Sequence, residues 1–133
     1  MELIVCVDDN GGLAFNHRRQ SRDSVLINDI IGLAADKNLV ITPYSEPLFT
    51  DHAGKYSVSD DLSGISDGSM IFAENTDVTG LAAKADAVTV YRWNRVYPAD
   101  LYIGGSLDGF RLDDVFEFVG SSHEKISRER WVK

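Results

Sequence analysis

A chain of 133 residues lies in the size range of one domain, and a single hydrophobic core over residues 1–133 is its default organisation. With 44% apolar and 26% charged residues it has the composition of a folded globule, which excludes a disordered or fibrous chain. Its 21 acidic against 13 basic residues leave a net charge of −8, which argues against attraction of the whole surface to nucleic acid or an anionic membrane.

The first segment, Leu3-Ile4-Val5-Cys6-Val7, is a continuous β-prone run that reads as a buried central strand, ended by the turn residues Asp8-Asp9-Asn10-Gly11-Gly12. These early acids leave an apolar stretch too short for a signal peptide or a membrane span. Cys6 is the only cysteine, so an internal disulfide and a Cys-rich zinc site are excluded, and a reducing, cytoplasmic compartment is expected. Residues 13–22 read as a loop carrying His17, Arg18, Arg19 and Arg22. From Asp23 to Lys37 the apolar residues Val25, Leu26, Ile27, Ile30, Ile31, Leu33 and Ala34 recur with helical spacing, and Asp23 or Ser24 can cap the start.

Leu39 to Thr42 forms a second strand, halted by Pro43, which completes a βαβ unit. Short strands follow at Lys55 to Val58 and Met70 to Ala73. Asp77 caps a brief helix through Ala85, Ala87 to Trp93 is a strong strand, and Val115–Val119 with Glu124–Val132 forms an antiparallel hairpin at the sheet edge.

Certain stretches carry a resemblance in this same order. They are Val5-Cys6-Val7-Asp8 with Asn10-Gly11-Gly12-Leu13, then Asp23 at the head of the main helix, Asn38-Leu39-Val40-Ile41, and Ala85 to Tyr91. Asp100-Leu101-Tyr102 and a hairpin with Ser122-His123 and Trp131 follow. The chain resembles dihydrofolate reductase almost end to end. The resemblance implies an α/β fold with a mixed, mostly parallel central sheet flanked by helices and a C-terminal antiparallel hairpin. It also implies a substrate side made of Asp23, as the pterin-binding and proton-delivering carboxylate, Cys6 as a pocket-lining residue, Tyr91 as the partner of the carboxylate, and Lys55 as the cation for an acidic substrate tail.

The cofactor side departs from that family. Thr42-Pro43-Tyr44-Ser45-Glu46 stands where the family has a Gly-Arg-x-Thr motif for the cofactor phosphates, and Ala73-Glu74-Asn75 stands where paired glycines admit the nicotinamide cofactor. A proline and two carboxylates replace backbone donors and a cation. The expectation is a protein that binds a small anionic, pterin-like or nucleotide-like ligand and needs no cofactor. In an alternative, an active reductase holds NADPH through Arg18, Arg19 and Arg22. In a third, an interaction module docks a protein through Trp93 to Tyr97 or an edge strand.

Other patterns are bland. Asp8-Asp9 reads as a turn pair before it reads as a metal site, and His17, His52 and His123 lack metal-ligand spacing. Arg92 to Tyr97 interleaves cations with aromatics as single-strand binders do, yet net charge and sheet packing make nucleic acid an improbable partner. No Gly-x-Ser-x-Gly, Walker or Gly-x-Gly-x-x-Gly pattern supports a hydrolase or nucleotide loop.

Overall fold

Strand β1 (Glu2–Val7) has parallel neighbours on both sides, β6 (Ser69–Phe72) and β7 (Ala87–Arg92), in a computed structural model that describes Met1 to Lys133. That position explains why the run is apolar on both faces: Ile4 and Val5, which point to opposite sides, are each 0% exposed. With β4 (Asn38–Ile41), β5 (Ser57–Val58), β9 (Arg111–Phe118) and β10 (Ile126–Val132), the seven-stranded sheet has the order β5-β4-β6-β1-β7-β10-β9. The first five strands are parallel, and β10 and β9 close the sheet antiparallel.

Each face of the sheet carries its own apolar cluster. On one face α1 (Ser24–Leu33) sets Leu26, Ile27 and Ile30 against Ile4, Leu39, Ile41, Phe72 and Tyr91. On the other, Leu3, Val5, Val7, Ile71, Val88 and Val90 meet α2 (Thr79–Lys84) through Ala82. No helix is long and apolar enough to cross a membrane.

The structure corrects several expected bounds. The main helix stops at Leu33, four residues short of Lys37, because the chain tightens into turns through Ala35 and Lys37 to return Asn38 to the sheet. The stretch expected to be a loop holds β2 (Gly12–Phe15) and β3 (Arg18–Arg19), which join β8 (Leu101–Tyr102) in a separate three-stranded sheet. Asn16 and His17, with φ of 51° and 62°, form the two-residue turn between β2 and β3; both positive angles match the twist of a tight hairpin. Residues Glu46–His52 form a 3-10 segment that places Phe49 in the core, edge-on to Phe72 at 5.6 Å. The terminal hairpin begins earlier than expected, at Arg111, and β9 is the open edge of the sheet.

Phe49 anchors an otherwise irregular segment with a fully buried ring. Phe49→Ala is expected to lower unfolding free energy by about 3 to 5 kcal/mol in a urea titration, the cost of a large cavity beneath the segment.

Candidate functional site

Asp23 is the N-cap of α1, and its carboxylate is shared with the tip of the β9–β10 hairpin. Oδ1 accepts the N–H groups of Val25 at 3.0 Å, Leu26 at 3.3 Å and Ser121 at 2.9 Å. Oδ2 accepts the Ser122 N–H at 2.8 Å and faces His123 Nδ1 at 3.0 Å. Burial opposes ionisation, but the N–H groups of Ser122 and Ser121, with His123 and Leu26, outweigh it and hold this carboxyl well below the usual range. The approach is tight enough that a side chain at Gly120 would run into the carboxylate and Ile126. The acid that the sequence marks for a ligand is therefore engaged inside the chain, with its side chain 0% exposed. His123 is itself 4% exposed, stacks on Trp93 with centroids 4.6 Å apart, and turns Nε2 toward Ser21 Oγ and Tyr97 Oη, both at 3.1 Å.

A second acid is paired inside the chain, at half-buried Asp29 of α1. Tyr91 is 0% exposed and its hydroxyl donates to Asp29 Oδ2 at 2.6 Å, while Arg128 Nη1 from β10 reaches both Asp29 oxygens at 2.8 and 2.7 Å. The partner of Tyr91 is thus Asp29, not Asp23. Burial raises the Tyr91 phenol, and the neighbouring Asp29 adds to the shift. Phe116 lies under the Arg128 guanidinium at 4.8 Å. The local signal for Asp29 is its place as the one acid among Val25, Leu26, Ile27, Ile30 and Ile31 in α1. Arg128 has no such signal. Cys6 sits directly opposite Tyr91 in the β1–β7 register, and burial, then the Glu74 charge, pushes its thiol up.

The two departures on the expected cofactor side meet each other. Arg19 donates through Nε to Glu74 Oε1 at 2.9 Å, and through Nη2 to Glu74 Oε2 at 3.1 Å and to the Tyr44 carbonyl at 3.2 Å. Ser45 Oγ donates to Glu74 Oε2 at 2.7 Å, Tyr44 Oη accepts the Arg19 N–H at 2.8 Å, and the guanidinium lies 4.4 Å over the Tyr44 ring. Asn75 Nδ2 donates to the His17 carbonyl at 2.9 Å, so the β2–β3 hairpin is tied down beside the ends of β4 and β6. Arg18 and Arg22 are exposed and form no ion pair, and Lys55 is exposed beyond the 3-10 segment and does not line the groove beside Asp23.

The Trp93 to Tyr97 stretch does not present its indole for docking: Trp93 is 4% exposed because it packs on His123. Asn94 Nδ2 is bonded to the Lys125 carbonyl and Ser127 Oγ, and the Tyr97 N–H to Asp8 Oδ2. Asp8 is fully buried and also accepts the N–H groups of Asn10 and Gly12, a turn-forming role.

The four main cavities of the surface measure about 200 to 400 Å³, and none of these is lined by Cys6, Asp29, Tyr91 or Lys55. The one beside Asp23, about 370 Å³, is a groove between α1, the 3-10 segment and the hairpin tip, with Arg22, Ser24, Ile27, Leu48, Asp51 and Ser122 in its walls.

No protein-family model matches the chain, and a search of curated proteins finds no match. Among solved structures, a dihydrofolate reductase from Enterococcus faecalis, complexed with NADP(H) and RAB-propyl, aligns with a TM-score of 0.60 over 98% of this chain and 94% of that one. The sequence identity is 10%. This chain therefore has a dihydrofolate-reductase-like fold, as its mixed sheet and terminal hairpin led one to expect. At that identity the likeness carries the architecture and leaves the roles of individual residues to the geometry above.

Because the Asp23 carboxyl is depressed in the folded state, its contribution to stability is complete above the unfolded value of about 3.9 and is lost as pH falls toward the lower folded value. Urea titrations between about pH 5 and 2 are expected to show a steep loss of stability in the wild type and a shallower one in Asp23→Asn. At neutral pH Asp23→Ala should cost about 2 to 4 kcal/mol, since it removes a helix cap and strands the hairpin donors.

Proposed function

We propose that the chain is a small-molecule-binding protein on a dihydrofolate-reductase-like scaffold, with NADPH-dependent reduction lost. The observation that supports this most is the Arg19–Glu74 pair with Ser45 and Tyr44 around it. Glu74 and Tyr44 to Glu46 occupy the places where the family resemblance puts the donors for the cofactor, and the one arginine of the basic loop that reaches them is neutralised by Glu74. These residues do not fit a dinucleotide: the Arg19–Glu74 pair offers pyrophosphate no net positive charge, and a guanidinium already held by a carboxylate and a carbonyl has few donors left for it.

The groove beside α1 supplies the alternative site. Ile27 and Leu48 give it an apolar part, Ser24, Thr50, Ser121 and Ser122 give it hydroxyls, and exposed Arg22 gives it a cation beside the carboxylates of Asp23, which is engaged by its own donors, and Asp51. That chemistry suits a small ligand with a flat or apolar body and an anionic group, within which pterin-like and nucleotide-like molecules fall. A second reading, protein docking along the free edge of β9, draws on Leu112, Val115, Phe116 and Val119, which are 46%, 47%, 49% and 73% exposed.

Calorimetric titration with NADPH up to about 1 mM is expected to give no saturable binding, and a micromolar isotherm would overturn the loss of reduction. A thermal-shift screen of pterins and nucleotides tests the groove. A hit there should weaken about tenfold or more in Arg22→Ala, the weight of one charge-assisted contact, and equal binding by the variant would remove the groove from the reading.

A further inference from the structure

Ser21 and Asp23, just before α1, stand in one hydrogen-bonded row with His123 of the hairpin tip, a hundred positions from Asp23. Asp23 Oδ2 lies 3.0 Å from His123 Nδ1, and His123 Nε2 lies 3.1 Å from Ser21 Oγ. Asp23 and His123 are buried, whereas Ser21 is partly open to solvent. An ionised carboxylate only accepts, so Nδ1 carries a proton toward Asp23, and in the singly protonated ring the Nε2 lone pair lies on the side of the serine. Stacking on Trp93 fixes the plane of the imidazole. Acid, imidazole and hydroxyl in this order and tautomer are what turns a serine into a nucleophile.

We propose that Ser21 is the nucleophile of an acyl-transfer site that hydrolyses small carboxylic esters bearing an anionic group, with His123 as general base and Asp23 as the residue that orients it. The N–H groups of Ser21 and Arg22 find no partner within the chain and are donors free to meet a developing oxyanion. Arg22, next to Ser21, and Ser122, next to His123, both line the groove beside α1, where the guanidinium meets the charged end of the ester. Ser21 Oγ bonds to the carbonyl carbon as its proton passes to His123 Nε2. The C–O bond to the leaving alcohol then breaks, and the alcohol takes that proton. Water repeats the sequence on the acyl-serine, which releases the carboxylic acid and restores Ser21. No redox partner enters, and Asp23 stays ionised throughout. Tyr97 Oη, also 3.1 Å from Nε2, competes with Ser21 for the same lone pair and restrains the site. The inference goes beyond the ligand-binding reading, because acylation of Ser21 by a small probe does not require the groove to be filled.

The test is to treat the full chain with a small fluorophosphonate and locate the adduct by intact mass and peptide mapping, alongside hydrolysis of p-nitrophenyl acetate. One adduct per chain is expected, on Ser21. Ser21→Ala should lose it and slow ester hydrolysis by about 100-fold or more. Tyr97→Phe should speed labelling about two- to tenfold, the weight of one competing hydrogen bond. Both variants leave the Asp23 cap in place, so circular dichroism should match the wild type. No adduct on folded protein, an adduct on another residue, or labelling that persists in Ser21→Ala would overturn the assignment.

Discussion

One carboxylate joins the start of the first helix to the last turn of the chain. Asp23 satisfies N–H groups of α1 and of Ser121 and Ser122 at once, so the helix cap and the hairpin tip are two halves of the same polar junction. Buried charge is tolerated only where it is fully partnered, and the number of donors here is large enough to keep the group ionised out of water. Through His123 the junction extends to Ser21, Tyr97 and Trp93, which fixes the basic loop and the segment after β7 around it.

Two further acids are also met from within the chain. Asp29 is held by Tyr91 and Arg128, and Glu74 by Arg19 and Ser45. In each case the carboxylate is met by an arginine from another element of the chain itself. The groove beside α1 is the cavity that abuts the Asp23 junction. The contacts at Asp23, Asp29 and Glu74 tie separate elements together.

Elements whose cause is local were legible in the sequence. β1 and β7 declare themselves by unbroken β-prone runs, because parallel neighbours make both faces apolar. The start of α1 is legible because an aspartate precedes the apolar periodicity. The β2–β3 hairpin was not, since Asn16-His17 makes a positive-φ turn without the glycine that usually marks one. Nor was the Glu46–His52 segment, too short and irregular to carry a period. At the site, Asp23 was visible as a residue but not as a partner of Ser121 to His123, and Asp29 with Arg128 was missed, because these pairings join residues about a hundred positions apart and leave no trace in spacing. Trp93 looked available only because nothing in the sequence near it announces the imidazole that covers it.

The strand order has a consequence for the way the chain reaches this state. β10 follows β9 in the sequence yet lies between β9 and β7, so β9 has no route to the sheet until residues 126–132 have arrived. During synthesis the parallel half can assemble early, while the strand with Leu112, Val115 and Phe116 waits unpaired and the first helix waits for its full cap. Closure is therefore a late, non-local event whose entropy is paid across most of the chain's length, and the interval before it is when this protein is most open to self-association.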